Sequence, residues 1–221
     1  MEETLPLSPS HKAARLAWAS EKLACQQDWT HVIFSDEKKF NLDGPDGFRY
    51  YWRDLRRPAQ QAVRRQMGGG SVMVWGAMAW EGKSQLAILD GRQSSEHYIY
   101  TLSEYLLPFA HLKYGVDFIF QQDNAPIHTS SETRLFFSDM GLSVMDWPAR
   151  SPDLNPIENL WSHLARRVYA DGRQYDSIAE LKDAILRAWE TITLEDIRPL
   201  VQSMPRRCLD AVKARGNKTS Y

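Results

Sequence analysis

Apolar positions along this chain alternate between two periods, and the switches mark out its elements. Val32-Ile33-Phe34, Ser71 to Trp80 and Phe118-Ile119-Phe120 are short apolar runs of strand length. Leu160, Trp161, Leu164 and Val168 follow Ile157 at helical spacing and give one apolar face. Read in order, the pattern predicts a helix over Ser8 to Cys25, then strands over His31 to Phe40, Phe48 to Trp52, Ser71 to Trp80 and Lys83 to Leu89. A helix over Ser94 to Leu112 crosses to the strand ending near Asp123, followed by a helix over Ser130 to Met140 and a short strand over Leu142 to Met145. The Ile157 helix comes next. Helices over Ser177 to Ile192 and Leu194 to Arg215 end the chain, the second broken by Pro205. An antiparallel meander followed by alternating helix and strand predicts an α/β fold with a mixed sheet flanked by helices.

Composition narrows the class without choosing a function. At 221 residues, 43% hydrophobic and 25% charged, the chain can bury one sizeable core. No apolar run reaches the length of a membrane span, so no membrane partner is expected. Cys25 and Cys208 lie far apart, without the Cys-x-x-Cys spacing of a zinc site, and a reducing intracellular compartment is the plain reading. A net charge of −1 gives no basic footprint for nucleic acid, but clustered acids would cancel basic patches in the sum.

The candidate chemistry sits in three places. In Ser151-Pro-Asp-Leu-Asn-Pro-Ile-Glu-Asn-Leu-Trp161, the prolines exclude regular helix before Asn155. Asn155 suits an N-cap and Pro156 the first helical position. Glu158 then projects from the first turn, with two readings: a capping box back to Asn155, or a rigidly held metal-binding carboxylate. Asp123 follows the buried strand 118–120, where α/β sheets commonly place ligands. Asp36 follows Val32-Ile33-Phe34 in the same way. Two acids at strand ends and one at a helix start can converge on divalent ions. Around them, Asn124 is either a partner of the Asp123 carboxylate or a turn residue, and His128 either approaches the metals or orients the Asn124 loop. Glu37 should face away from Asp36. Trp147 and Trp161 read as core.

Phe120-Gln-Gln-Asp-Asn-Ala-Pro-Ile-His128, Trp147-Pro-Ala-Arg-Ser-Pro-Asp-Leu-Asn-Pro-Ile-Glu-Asn-Leu-Trp161 and Val32-Ile-Phe-Ser-Asp-Glu-Lys-Lys-Phe40 closely resemble the catalytic core of Tc/mariner DNA transposases. The 34 residues between Asp123 and Glu158 match the Tc branch rather than the aspartate-ended mariner branch. The resemblance implies a ribonuclease-H-like fold, with residues 1–28 a helix leading into a catalytic domain over 29–221. It implies Asp36, Asp123 and Glu158 as catalytic metal ligands, with Asp36 bridging two Mg²⁺ ions and Mn²⁺ as a substitute. It further implies hydrolysis at transposon ends, transfer of the freed 3′-hydroxyl to a TA target, action in the nucleus, and a homodimer assembled on DNA. The run from Arg53 to Gln66 holds Arg53, Arg56, Arg57, Arg64 and Arg65 against one acid. It reads either as a solvated loop or, as the resemblance favours, as a phosphate-gripping DNA contact. Nothing before the first helix resembles the helix-turn-helix units of the family, so the chain reads as a core without its recognition half. A hydrolysis-only nuclease and a relic core that binds without cutting stay open.

Overall fold

A computed structural model of the chain describes residues 6–44 and 70–221. The expected strand Phe48 to Trp52 and the arginines at 53, 56, 57, 64 and 65 lie outside the described residues.

Helix α1 (Pro9–Ala24) leads into strands β1 (Val32–Asn41), β2 (Ser71–Ala79), β3 (Gly82–Lys83) and β4 (Ala87–Leu89). Helices α2 (Ser95–Thr101) and α3 (Leu107–Tyr114) flank a π-helical turn over Leu102–Leu106 and lead to β5 (Ile119–Gln121). Then come α4 (Ser131–Asp139), β6 (Ser143–Val144), α5 (Ile157–Val168), α6 (Ile178–Glu190), α7 (Leu194–Gln202) and α8 (Met204–Lys213). The sheet runs β3-β2-β1-β5-β6, with β4 also on β2. β1 pairs antiparallel with β2 and parallel with β5, which pairs parallel with β6. This mixed sheet with helices on both faces is the ribonuclease-H-like architecture expected.

Successive side chains of β1 point to opposite faces. Val32 and Phe34 join a core with Trp18, Leu160, Trp161, Leu164, Ile185, Trp189, Val201 and Cys208. Ile33 joins a second core with Trp75, Tyr98, Leu102, Leu106, Phe109 and Phe137. Each such side chain contributes about 1.5–3 kcal/mol on full burial. The same alternation decides where the acids beyond Phe34 point: Asp36 toward α5, Glu37 toward α2.

Three boundaries differ from the pattern. The strand expected over Lys83 to Leu89 is split. Met78 pairs with Lys83 but Trp75 pairs with Ala87, so one extra residue sits on the second strand. That is a β-bulge, and it turns the buried Leu86 to the α5 side. The helix expected over Ser94 to Leu112 carries a π turn just before Pro108, which has no N–H for the preceding turn. The last helix breaks at Ser203, and Pro205 falls in the first turn of α8, where no N–H is needed.

Candidate active site

The parallel register of β1 and β5 brings two of the three acids to the same end of the β1–β5 pairing. The last rung pairs Phe34 with Gln121, and two positions further on each strand reaches its aspartate, Asp36 and Asp123. Ser35 ties the two chains just before that point: its Oγ donates to the Gln121 carbonyl at 2.9 Å.

Glu158 comes from the other direction. Pro152–Leu154 form a single 3₁₀ turn, Asn155 is extended (φ −83°, ψ 112°), and Pro156 already has helical dihedrals (φ −68°, ψ −18°). Asn155 Oδ1 accepts the Ile157 N–H at 3.4 Å, and Nδ2 donates to the Ser35 carbonyl at 3.1 Å. One side chain thus starts α5 and fastens it to β1 next to Asp36. The capping-box reading of Glu158 is excluded here, because the Asn155 N–H already donates to the Pro152 carbonyl at 3.0 Å. The Glu158 carboxylate is left to face Asp36.

Electrostatics records that encounter. Burial, then the neighbouring Glu158 and Glu37 carboxylates, hold Asp36 well above the usual carboxylate range, against the Trp161 N–H donated to Oδ2 at 3.1 Å. Burial raises Glu158 as well, with Lys38 pulling against it. Asp123 is the opposite case. Burial would raise it, but hydrogen bonds from His128 Nδ1 (2.6 Å) and the Ala125 N–H (2.9 Å) to Oδ1 outweigh burial and lower its pKa.

His128 holds the two faces of this end together. Nδ1 meets Asp123, Nε2 lies 3.4 Å from Glu37 Oε1, and the ring packs on Tyr98 with centroids 4.0 Å apart. Burial would lower its pKa; the hydrogen bond it donates to Asp123 and the nearby Glu37 carboxylate win and push it up to about 9. Glu37 therefore does face away from Asp36, toward an imidazole rather than open solvent. Asn124 does not bond Asp123: its Nδ2 donates to the Trp147 carbonyl at 2.7 Å, so His128 holds the Asp123 rotamer and Asn124 anchors the loop. Asp36 and Glu158 are thus brought together, while Asp123, two positions past the last rung on the neighbouring strand, is held on His128. Among the described residues, no three His, Cys, Asp or Glu side chains form a group placed to hold a metal ion. The donors themselves suit a hard divalent cation: all are carboxylate oxygens, and Asp36 and Glu158 repel each other in a way a cation would relieve.

Two buried arginines escaped the sequence reading. Arg15 of α1, fully buried, forks onto Asp153 with Nη1–Oδ1 at 2.8 Å and Nη2–Oδ2 at 2.6 Å. It also donates to the carbonyls of Gly216 and Asn217. Arg207 of α8 donates to the Asp153 carbonyl (2.8 Å) and to Asn159 Oδ1 (2.6 Å), in the first turn of α5. Burial lowers Arg207 to about 10. Asp153, the remaining acid of the Ser151–Trp161 stretch, therefore fixes the helix entry. Trp161 also had a role that its apolar spacing concealed, since its N–H reaches Asp36. Its position three residues after Glu158, on the same helix face, was the available signal.

Residues 31–182 match the family profile described as DDE superfamily endonuclease. The Tc3 transposase of Caenorhabditis elegans is 46% identical over 215 residues, covering 97% of this chain and 65% of the relative. The chain thus spans just under two thirds of that protein's length. The Tc1 transposase of the same organism is 38% identical over 220 residues, covering 97% of this chain and 80% of the relative. Among solved structures, the mariner Mos1 paired-end complex with Mg superposes with a TM-score of 0.80 at 20% identity, covering all of this chain and 67% of the other.

Proposed function

The chain belongs to the Tc/mariner group of DDE superfamily transposases, and from that premise we propose that it is a transposase catalytic core that cuts DNA at transposon ends and joins the freed 3′-hydroxyl to a target. The observation that carries this reading is that Asp36 and Asp123 each lie two positions beyond the last β1–β5 rung, Phe34 with Gln121, with Glu158 delivered against Asp36 by the Pro-set entry of α5. Asp36, Asp123 and Glu158 are the residues that would hold divalent cations, Mg²⁺ or Mn²⁺. Two such ions, when bound, supply Lewis acidity at the scissile phosphate and stabilise charge on the attacking and leaving oxygens.

The chain's own groups prepare that site. Asp36 and Glu158 are half-buried together, which makes their charge costly without a counter-charge. His128 fixes Asp123 through Oδ1 and leaves Oδ2 for a further partner. The donor set lacks thiolates and favours magnesium over zinc. DNA is the substrate we propose, with the arginines between positions 53 and 65 on its phosphates, a TA dinucleotide as target, a homodimer as the assembled form and the nucleus as the place of action. Residues 29–221 form the catalytic domain in this reading, with 1–28 leading into it.

Nicking of supercoiled DNA in Mg²⁺, compared between this chain and Asp123→Ala, tests the reading. Loss of nicking in the variant supports it, and equal nicking by both refutes the site. A strand-transfer assay with a pre-cut transposon end then separates a transposase from a nuclease that only hydrolyses.

A further inference from the structure

Asp36 is held by a residue from the same helix that carries Glu158. Trp161 is fully buried, and its Nε1–H donates to Asp36 Oδ2 at 3.1 Å. The indole cannot retreat, because Trp189 backs it with ring centroids 5.5 Å apart. Trp189 is itself anchored by its N–H to the Ser84 carbonyl at 2.9 Å. The indole also rests against the sheet at Gly76, the residue paired with Asp36 across β1 and β2. A Cβ at position 76 would stand 2.8 Å from Trp161 Cη2, 3.1 Å from Leu86 Cδ1 and 3.3 Å from Trp189 Cη2. The missing methyl is therefore the space the indole occupies, and the β-bulge that turns Leu86 inward closes the same pocket.

We propose that Trp161 is a positioning residue for Asp36, fixing one carboxylate oxygen through its N–H so that the other is presented to a cation, and that Gly76 is the shape that permits it. The inference rests on the reading of Asp36 as a metal ligand. An indole N–H suits the task, since it donates without titrating and never accepts. It favours the ionised carboxylate, and it acts from a fully packed position where few other orientations are open to either group. Because Glu158 and Trp161 lie three residues apart on α5, one rigid helix sets both the second acid and the orientation of the first.

The test measures Mn²⁺ affinity of the whole chain, without DNA, from the electron paramagnetic resonance signal of the free ion. Replacing Trp161 by β-(3-benzothienyl)alanine puts sulfur in place of the N–H and keeps the ring shape, so melting should stay close to the parent. Mn²⁺ affinity should fall about 10–100-fold, as for loss of a group that orients a metal ligand. Trp161→Phe should weaken binding similarly. Unchanged affinity in both variants, with affinity lost in Asp36→Asn, overturns the proposal and leaves the active-site reading intact. Unchanged affinity in Asp36→Asn overturns the active-site reading and this proposal with it. Gly76→Ala should weaken Mn²⁺ binding in the parent but not further in Trp161→Phe, where the smaller ring vacates the space. An equal further loss in that background would show that Gly76 acts by another route and would overturn its half of the proposal.

Discussion

At the residue scale, Glu158 separates structure from chemistry. Its carboxylate makes no capping bond and stands against Asp36, so ionising both costs stability while a neutral side chain does not. Both acids are raised in the folded state, so their destabilising effect is felt above the folded pKa values and is relieved as pH falls through them. Glu158→Gln should melt at the same temperature or slightly higher at neutral pH, while Mg²⁺-dependent cleavage collapses. A variant that melts lower and still cuts would assign Glu158 to structure alone. Asp36, Asp123 and Glu158 could be picked out of the sequence as candidates because each follows an apolar run or opens a proline-marked helix. The bond from His128 to Asp123 was not legible there, since five residues of turn admit many geometries. Nor was the Trp161 N–H, because apolar spacing describes a ring's burial and not its one donor.

At the element scale, the entry to α5 depends on the Arg15–Asp153 pair. Removing one partner of a buried pair leaves the other uncompensated, so Asp153→Ala should cost about 3–5 kcal/mol in denaturant unfolding. Burial opposes the Asp153 charge, but the Arg15 fork and the Thr219 bonds outweigh it and depress the pKa. The stability it contributes is present above the unfolded value, near pH 4, and is lost as pH falls through the lower folded value. Asp153→Asn should therefore flatten the acid limb of the stability curve, and an unchanged limb would count against the pair. Gly216 tests the same junction from the tail. Its φ is +75°, and a Cβ there would meet the Lys12 carbonyl oxygen at 2.0 Å. Gly216→Ala should destabilise by at least about 1–3 kcal/mol. The sequence pattern located most of these elements, because strand and helix periods follow from which face is buried. It missed the bulge between β3 and β4, which depends on packing of Leu86 against a helix more than seventy residues away, and it missed the arginine pair, whose partners are remote in sequence.

At the scale of the whole molecule, a net charge of −1 means that the proposed DNA binding must rest on local patches. If the arginine run grips phosphate, Arg64→Ala with Arg65→Ala should weaken binding to unrelated sequences alike. The slope of log affinity against log salt should shrink by roughly 0.9 per lost contact. An unchanged slope returns the run to solvated surface. The arginine clamp has a consequence in time as well as in space. Arg15 is bonded to Asp153, 138 positions further along, and to the Gly216 carbonyl, 201 positions further along. On the ribosome, Arg15 is made before these partners, and its guanidinium waits while the sheet, the second core and α5 are made. Only when residues 216–219 clear the exit tunnel can the last bonds to Arg15 and Asp153 close. A chain still being translated thus carries all three acids while the helix entry that aims Glu158 lacks its ties to residues 216–219, and the proposed metal site matures only after those residues are made.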